Sequence, residues 1–337
     1  MNIQTYLQSE LQNSSQYELS LEDQKLLHAL SLEEFLYKKL TTKKFRKWSL
    51  DEASSKRIKE AIALNVQTQK PIQCIFPFGG YKLWNLDSAP TVDWAKFFTI
   101  AYYLKWIAPI LKVYQPGIHF TFSSDDVIVE RLDNIPPKDT KAYFDSFKNL
   151  LQIFAQHFPA NLTMDIVRVA DLYTSEAFEK EFASHLPEMM KAYENPEPNR
   201  YQKMLATSAL NFQWNGVQDF TTVSESEKQK KIKMGPIIHD AYGKMVGRRA
   251  FVRGEEKIVV FTTPIPNAIA IGTTKTSVTK FWTGIGVLEK YNDAFKARIL
   301  SPEQIKSEQM IEEVSVHIID LKNFQTIAVY PKLHFTI

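Results

Sequence analysis

Hydrophobic residues between positions 71 and 170 fall into short uninterrupted runs that alternate with longer stretches of helical periodicity. The short runs have the length of buried strands, and the longer stretches have the length of helices. Buried strands separated by such helices favour a parallel sheet with right-handed crossovers. The predicted strands are 72–78, 118–122 with a continuation at 127–130, and 162–169, and the predicted helices are 92–113 and 138–157.

The residues before this core, 1–66, have the pattern of helices. The tetrapeptides that begin at Ser31 and Ser49 both place a glutamate three residues after a serine, which is typical of a capping box at a helix start. Apolar residues at helical spacing follow the second box, at positions 58–66. We therefore predict a helical N-terminal extension over residues 1–66.

After the core, residues 174–235 have a helical pattern, and the charged run 225–233 within them is typical of a solvated helix face. Beyond this helical insert, residues 246–337 are rich in short β-branched runs, and Ser301 ahead of a proline predicts a helix start. These predicted strands are 246–252, 257–263, 268–271, 283–288, 313–320 and 326–330. The predicted fold class is α/β, with a Rossmann-like mixed sheet flanked by helices in a single domain over residues 67–337.

Composition narrows the compartment and the partners. The 337 residues are 44% hydrophobic and 23% charged, which is ordinary for a folded protein, and a net charge of +3 does not require nucleic acid. Cys74 is the single cysteine, so it forms no internal disulfide, and a reducing cytoplasm is the simplest location. The N-terminus has no signal-peptide pattern, and the most apolar stretch, 97–113, is too short to cross a membrane.

Several cofactor signatures are missing from the sequence. It has no GxGxxG after a strand, no GxxxxGK[ST], no HExxH, no CxxC and no GxSxG. We therefore expect no nicotinamide, no structural metal and no other cofactor. The partners expected are small-molecule substrates, and a homodimer stays open because the sequence gives no oligomeric state.

Three polar segments are candidates for the site. Ser124, Asp125 and Asp126 follow the second strand, where a ligand amine, hydroxyl or metal could be held, although serine and aspartate also form plain turns. Lys82 follows a glycine pair at the end of the first strand. It offers an ammonium for a phosphate or an amine for carbonyl chemistry, or else it is a surface lysine of a flexible turn. Its aromatic neighbours, assigned to substrate binding, are Tyr81 and Trp84.

The third segment is basic. If residues 246–252 form a strand that continues to Arg253, Arg249 and Arg253 share one face and could clamp a phosphate, although a charged edge strand explains them equally well. Lys275 belongs to a stretch of hydroxyl residues and lysines, 272–280, which fits an anion nest or a solvent-exposed turn.

Residues 71–131 resemble the isocyanide (isonitrile) synthase family of pyoverdine, paerucumarin and dityrosine biosynthesis. The family has a strand ending in F-P-F/A with a basic residue after it, then a P-D helix start, a Y-x-P-G turn and a strand ending in S-D-G. The matching residues here are Phe76-Pro77-Phe78 with Lys82, Pro90 to Asp93, Tyr114 to Gly117, and Ser124-Asp125-Asp126. There are three departures: Gly79-Gly80 displaces the lysine, Lys96 lies near the position where the helix start would have an acid, and Asp126 replaces the glycine.

The resemblance implies a reaction in which an amino-acid amine is joined to a carbon of a pentulose phosphate. Lys82 would then meet the sugar phosphate or its carbonyl, and Asp125 would hold the amine or move protons. We add Asp126 as a catalytic residue, and Arg249, Arg253 and Lys275 as phosphate ligands, from charge and position. Two alternatives stay open: a nucleotide-sugar glycosyltransferase that uses the Asp125/Asp126 pair, and a diverged relative that binds or regulates without catalysis.

Overall fold

The computed structural model describes residues 2–12, 15–80, 82, 86–133, 135–215, 224–277, 279–292, 294–310 and 312–331. Five strands in this part of the chain are β1 Ile72–Phe78, β2 Ile118–Ser124, β3 Leu162–Arg168, β4 Lys257–Phe261 and β5 Ala268–Ala270. They form a parallel sheet in the order β3-β2-β1-β4-β5. The three strands predicted for the core are confirmed. The strand order changes direction between β1 and β4, and ligands of open α/β sheets bind at such a switch point.

Helix α5 (Trp94–Val113) lies at the centre of the molecule. It is buried around almost its whole circumference because it packs between the parallel sheet and the second sheet described below. This explains why its sequence is apolar on all sides instead of amphipathic. None of the described helices is long and apolar enough to cross a lipid bilayer. Helices α6 (Asp126–Asp133) and α7 (Pro137–Ala155) follow β2.

The N-terminal residues are helical, as predicted. The helices are α1 Ile3–Leu11, α2 Leu21–Ala29, α3 Leu32–Leu40 and α4 Glu52–Gln67. Ser31 forms the predicted capping box with Glu34, but the box predicted at Ser49 is wrong, because Asp51 caps α4 by accepting a bond from the Ser54 N–H at 2.6 Å. The division into residues 1–66 and 67–337 stays a prediction.

Two predicted strands are helices. Residues 127–130 belong to α6, because the chain turns as soon as the Asp125 N–H has donated to the Phe78 carbonyl at 2.7 Å. Residues 246–252 form a helix in which only Val252 is fully buried, beside Ile75 and Val259 of the sheet. An amphipathic helix covers this narrow apolar patch while Arg249 and Arg253 stay near solvent. The helices of this region are α8 Ser175–Ala192, α9 Pro198–Asn215, α10 Glu225–Lys244 and α11 Val246–Arg253.

The β-rich last third is confirmed, and it is divided between two sheets. The later strands and one short helix are β6 Ile285–Tyr291, β7 Ala294–Leu300, α12 Pro302–Ser307, β8 Glu312–Ser315 and β9 Thr326–Tyr330. The four strands form a separate mixed sheet, in the order β7-β6-β9-β8, instead of extending the edge of the first sheet. The helix start predicted at Ser301 is confirmed, and β7 was not predicted.

The second sheet touches α5 through Gly286 of β6. A Cβ atom at this glycine would overlap the backbone of Trp94 and Ala95. The absence of a side chain therefore lets β6 lie directly against the first turn of α5. In the same turn, the Trp94 indole donates a hydrogen bond to the Thr326 carbonyl of β9 at 2.7 Å. Backbone cannot move aside as a flexible side chain can, so this contact fixes the position of the helix start.

We expect Gly286→Ala to destabilise the fold by about 1–3 kcal/mol, since the added methyl overpacks a contact made of backbone. Urea unfolding of the variant measures this. Gly243→Ala is the matched control, because a Cβ there meets nothing within 4 Å and alanine favours a helix over glycine by up to ~1 kcal/mol. Equal stability of the two variants would contradict the close packing of β6 on α5.

Candidate active site

The carboxyl ends of β1 and β2 lie side by side, and polar residues follow both strands. Phe78 pairs with Ser124, and Ser124 pairs with Arg168 of β3. Because side chains alternate along a strand, consecutive residues at the end of β2 point to opposite faces of the sheet. The Ser-Ser-Asp-Asp run therefore contributes to two separate clusters.

The polar groups on the α5 side of the sheet fall into two parts, and the first part is an ion triad beneath the start of α5. The Asp93 carboxylate contacts the Lys82 Nζ at 2.8 Å and the Lys96 Nζ at 3.0 Å. Lys82 also donates to the Gly284 carbonyl, just before β6. All three side chains are buried. Two ammonium groups and one carboxylate leave an excess positive charge in a water-poor place, which an anionic substrate group could neutralise.

Asp93 is positioned by the helix itself. It is the N-cap of α5 and accepts a hydrogen bond from the Ala95 N–H at 3.0 Å. Burial on its own would raise the pKa of Asp93, but Lys82 and Lys96 outweigh it and hold this pKa at about 2. The Lys96 pKa is lowered well below its usual value, first by burial and then by Lys82, against the raising effect of Asp93. A lysine of lowered pKa can lose its proton and act as a base or nucleophile.

The second part of the site is the Asp126 carboxyl, at the start of α6. Its Oδ1 accepts from the Ser124 hydroxyl, and its Oδ2 contacts the Arg168 Nε at 2.6 Å. Burial raises the pKa of Asp126 to about 7, more than Ser124 and Arg168 lower it. A carboxyl that titrates near neutral pH can both donate and accept a proton in one reaction cycle.

Gly80 connects these two parts. A Cβ atom on this residue would collide with the Asp126 carboxyl and the Ser124 hydroxyl, so only glycine lets the chain after β1 run over them. Lys82 follows two residues later and reaches Asp93. On the same side of the sheet, Lys96 lies over the Tyr143 ring, 5.5 Å from its centroid. We call this group the α5-face site; its members are Lys82, Asp93, Lys96, Ser124, Asp126 and Arg168.

Asp125 belongs to the opposite face. Its carboxylate accepts from the Tyr242 hydroxyl at 2.9 Å and contacts the Arg248 guanidinium at 3.5 Å. Burial and the nearby Asp125 charge raise the pKa of Tyr242 well above its usual value. Lys82 and Asp125, the two residues singled out from the family resemblance, therefore have separate sets of partners, and the structure does not bring them together.

Two buried hydroxyls near the strand ends lack a hydrogen-bond partner among the described residues. Ser123 on β2 and Thr262 directly after β4 are fully buried, and neither hydroxyl has a hydrogen-bond partner among the described residues. Buried polar groups are normally satisfied, and an unsatisfied one often marks a place where a ligand or water binds. Ser123 lies near the carboxyl end of β2, and Thr262 directly follows β4, which borders the switch point.

The predicted phosphate ligands lie away from the α5-face site. Arg249 and Arg253 share a face, as predicted, but on helix α11, where they line a groove beside α8 and α10. Lys275 is exposed, and its carbonyl accepts from the Lys47 ammonium at 2.8 Å. Tyr81 and Trp84, predicted to bind substrate, lie outside the described residues.

The sequence reasoning missed three residues of the α5-face site as functional. Asp93 and Lys96 are three residues apart at the start of the most apolar helix, and a lysine inside such a stretch was the available signal. Arg168 ends the third strand, level with Ser124. No described group of three or more His, Cys, Asp or Glu side chains is arranged to hold a metal ion.

The fold is similar to that of the PvcA protein from Pseudomonas aeruginosa, known from a crystal structure. The likeness has a TM-score of 0.65 and covers 89% of this chain and 100% of that chain, at 16% sequence identity. No protein-family model and no curated protein matches the sequence. At this identity the similarity shows a shared fold.

We expect Asp93→Asn to destabilise the protein by about 3–5 kcal/mol, because it leaves two buried lysines without their counter-charge. Urea unfolding gives the difference from the unchanged protein. The control is Glu60→Gln, which removes a carboxylate from an exposed lysine pair, Lys56–Glu60, and should change stability by less than ~0.5 kcal/mol. A loss no larger than the control's would mean that the triad is dispensable for the fold.

The raised pKa of Asp126 predicts a particular pH dependence. The folded protein holds a proton on this carboxyl up to pH about 7, whereas the unfolded chain releases it near pH ~3.9. Between these values the folded state binds more protons, so this group's contribution to the free energy of unfolding falls as pH rises. Urea unfolding from pH 4 to pH 8 should show this fall, and Asp126→Asn should remove it while Asp125→Asn keeps it. A slope that survives in Asp126→Asn would assign the effect to another group.

Proposed function

We propose that this protein is an isonitrile-forming or related C–N bond-forming enzyme that condenses an amino-acid amine with a pentulose phosphate. The observation that carries the proposal is the α5-face site, which combines a carboxyl of pKa about 7 with a buried lysine of lowered pKa near the carboxyl ends of β1 and β2. The order of motifs from Phe76 to Asp126 and the fold shared with PvcA add support.

Joining an amine to a carbonyl moves two protons from nitrogen to oxygen. The lone pair of the neutral amine attacks the carbonyl carbon, and as the C–N bond forms the nitrogen loses one proton while the carbonyl oxygen gains one. The nitrogen then loses its second proton to form the C=N bond, and the hydroxyl gains a proton and leaves as water. Asp126 suits the acid and base steps because it titrates near neutral pH.

The substrate phosphate has cationic partners on the same face of the sheet. Lys82 and Lys96 give their triad an excess positive charge, and the Arg168 side chain is 22% exposed and contacts Asp126. A guanidinium can bind a phosphate through two parallel hydrogen bonds. We therefore assign phosphate binding to these groups instead of Arg249, Arg253 and Lys275.

The arrangement of the two aspartates weighs against the glycosyltransferase alternative. A cation that holds a sugar nucleotide would need the carboxylates of Asp125 and Asp126 to converge. Each is instead engaged by a different arginine, Arg248 and Arg168, on a different face of the sheet. A cation would have to break both ion pairs and reorient one carboxylate.

The first test is to incubate the purified protein with aromatic amino acids and ribulose 5-phosphate labelled with ¹³C. Mass spectrometry should find a product in which one labelled carbon has replaced both amine hydrogens. Ribulose 5-phosphate at a hundredfold excess over its Kd should also stabilise the fold by about 2.7 kcal/mol.

Variants then test the assigned roles. Asp126→Asn should lower kcat/KM about a hundredfold or more, since general acid–base catalysis contributes that much, while Glu60→Gln should keep full activity. Product formation by Asp126→Asn at the unchanged rate would remove Asp126 from the mechanism. Binding of ribulose 5-phosphate without any product would favour the non-catalytic relative. The absence of both binding and product would refute the proposal.

A further inference from the structure

A groove of about 630 Å³ lies between the helices of the 175–253 region, away from the α5-face site. Residues of α8, α9, α10 and α11 form its walls, together with the segment that leads into α9. Its volume is in the range of pockets that bind small organic ligands. The groove has one basic side, formed by Arg249 and Arg253, and an apolar and aromatic side with Met189, Ala192, Pro196 and Tyr201.

The basic side is not neutralised within the described part of the chain. Arg249 and Arg253 are one helical turn apart, and neither has a carboxylate partner among the described side chains. Arg253 donates to the Pro266 carbonyl at 3.2 Å, and its pKa is lowered by burial and by the neighbouring Arg248 and Arg249. These guanidinium groups repel one another, and a bound anion would relieve that repulsion.

Each acid of the groove has a partner other than the two arginines. Glu188 contacts the Lys244 ammonium at 3.1 Å, and Asp240 accepts from the Tyr193 hydroxyl at 2.7 Å. Glu197 accepts from the Asn199 N–H at 3.1 Å. A ligand that enters the groove therefore meets two available guanidinium groups and carboxylates that already have partners.

We propose that this groove binds an organic phosphomonoester, with the phosphate dianion on Arg249 and Arg253 and the organic part on the apolar and aromatic side. Two arginines match the two charges of the dianion and the fork geometry of its oxygens. The ring of Tyr201, which packs against Tyr193 with 5.5 Å between centroids, gives a flat substituent a surface to stack on. The site is separate from the α5-face site.

Phenyl phosphate and inorganic phosphate are the probes, with binding measured by isothermal titration calorimetry on the full chain. Phenyl phosphate should bind more tightly than inorganic phosphate. Replacing both arginines by glutamine should weaken phenyl phosphate at least tenfold, as expected for lost charge-assisted hydrogen bonds. Replacing both by lysine should weaken it less, because the charge stays and only the fork geometry is lost. Circular dichroism confirms that each variant is folded.

Two control variants separate this site from others. Lys275→Gln removes an exposed charge elsewhere and should leave binding unchanged. Arg168→Gln alters the α5-face site and should also leave it unchanged, so a failure of the proposed catalytic function does not touch this result. No binding of phenyl phosphate, binding that survives loss of both groove arginines, or binding lost in Arg168→Gln would each overturn the proposal. Equal affinity for both probes would overturn the role of the aromatic side.

Discussion

The carboxylate of Asp93 is the contact on which the arrangement of the two sheets depends. It caps α5, it holds Lys82 from the segment after β1, and it holds Lys96 from the first turn of the helix. Lys82 in turn donates to the Gly284 carbonyl at the start of the second sheet. One buried charge therefore joins the parallel sheet, the central helix and the second sheet. Because isolated buried charges are costly, neither lysine is stable there as a cation without the Asp93 carboxylate.

This requirement explains the packing around the helix start. For Lys82 to reach both Asp93 and Gly284, β6 must lie close to the first turn of α5, and Gly286 makes this approach free of a side chain. Trp94 secures the other side of the turn, since its indole donates to β9 and its ring contacts Phe324 with 4.8 Å between centroids. The second sheet thus closes the site from a side that the parallel sheet cannot cover.

The sequence correctly predicted the elements that are buried along almost their whole length. Strand 72–78 and the helix at 92–113 are both continuous apolar stretches, and the length of each stretch distinguishes strand from helix. The prediction failed at residues 246–252, which form a helix in which only Val252 is buried against the sheet. The site was predicted only in part. The ends of β1 and β2 were found, whereas the pairing of Lys82 with Asp93 depends on a close approach across the fold that no local pattern encodes.

Two of the departures from the isocyanide synthase pattern lie against each other in the structure. The Gly79-Gly80 insertion and Asp126, which stands where the family pattern has glycine, are more than forty residues apart in the sequence. Yet Gly80 lies against the Asp126 carboxyl so closely that a Cβ would overlap it. The Asp126 carboxyl at the end of β2 is thus accommodated because the residue after β1 has no side chain. Since that carboxyl titrates near neutral pH, Gly80 makes room for a group that can transfer protons.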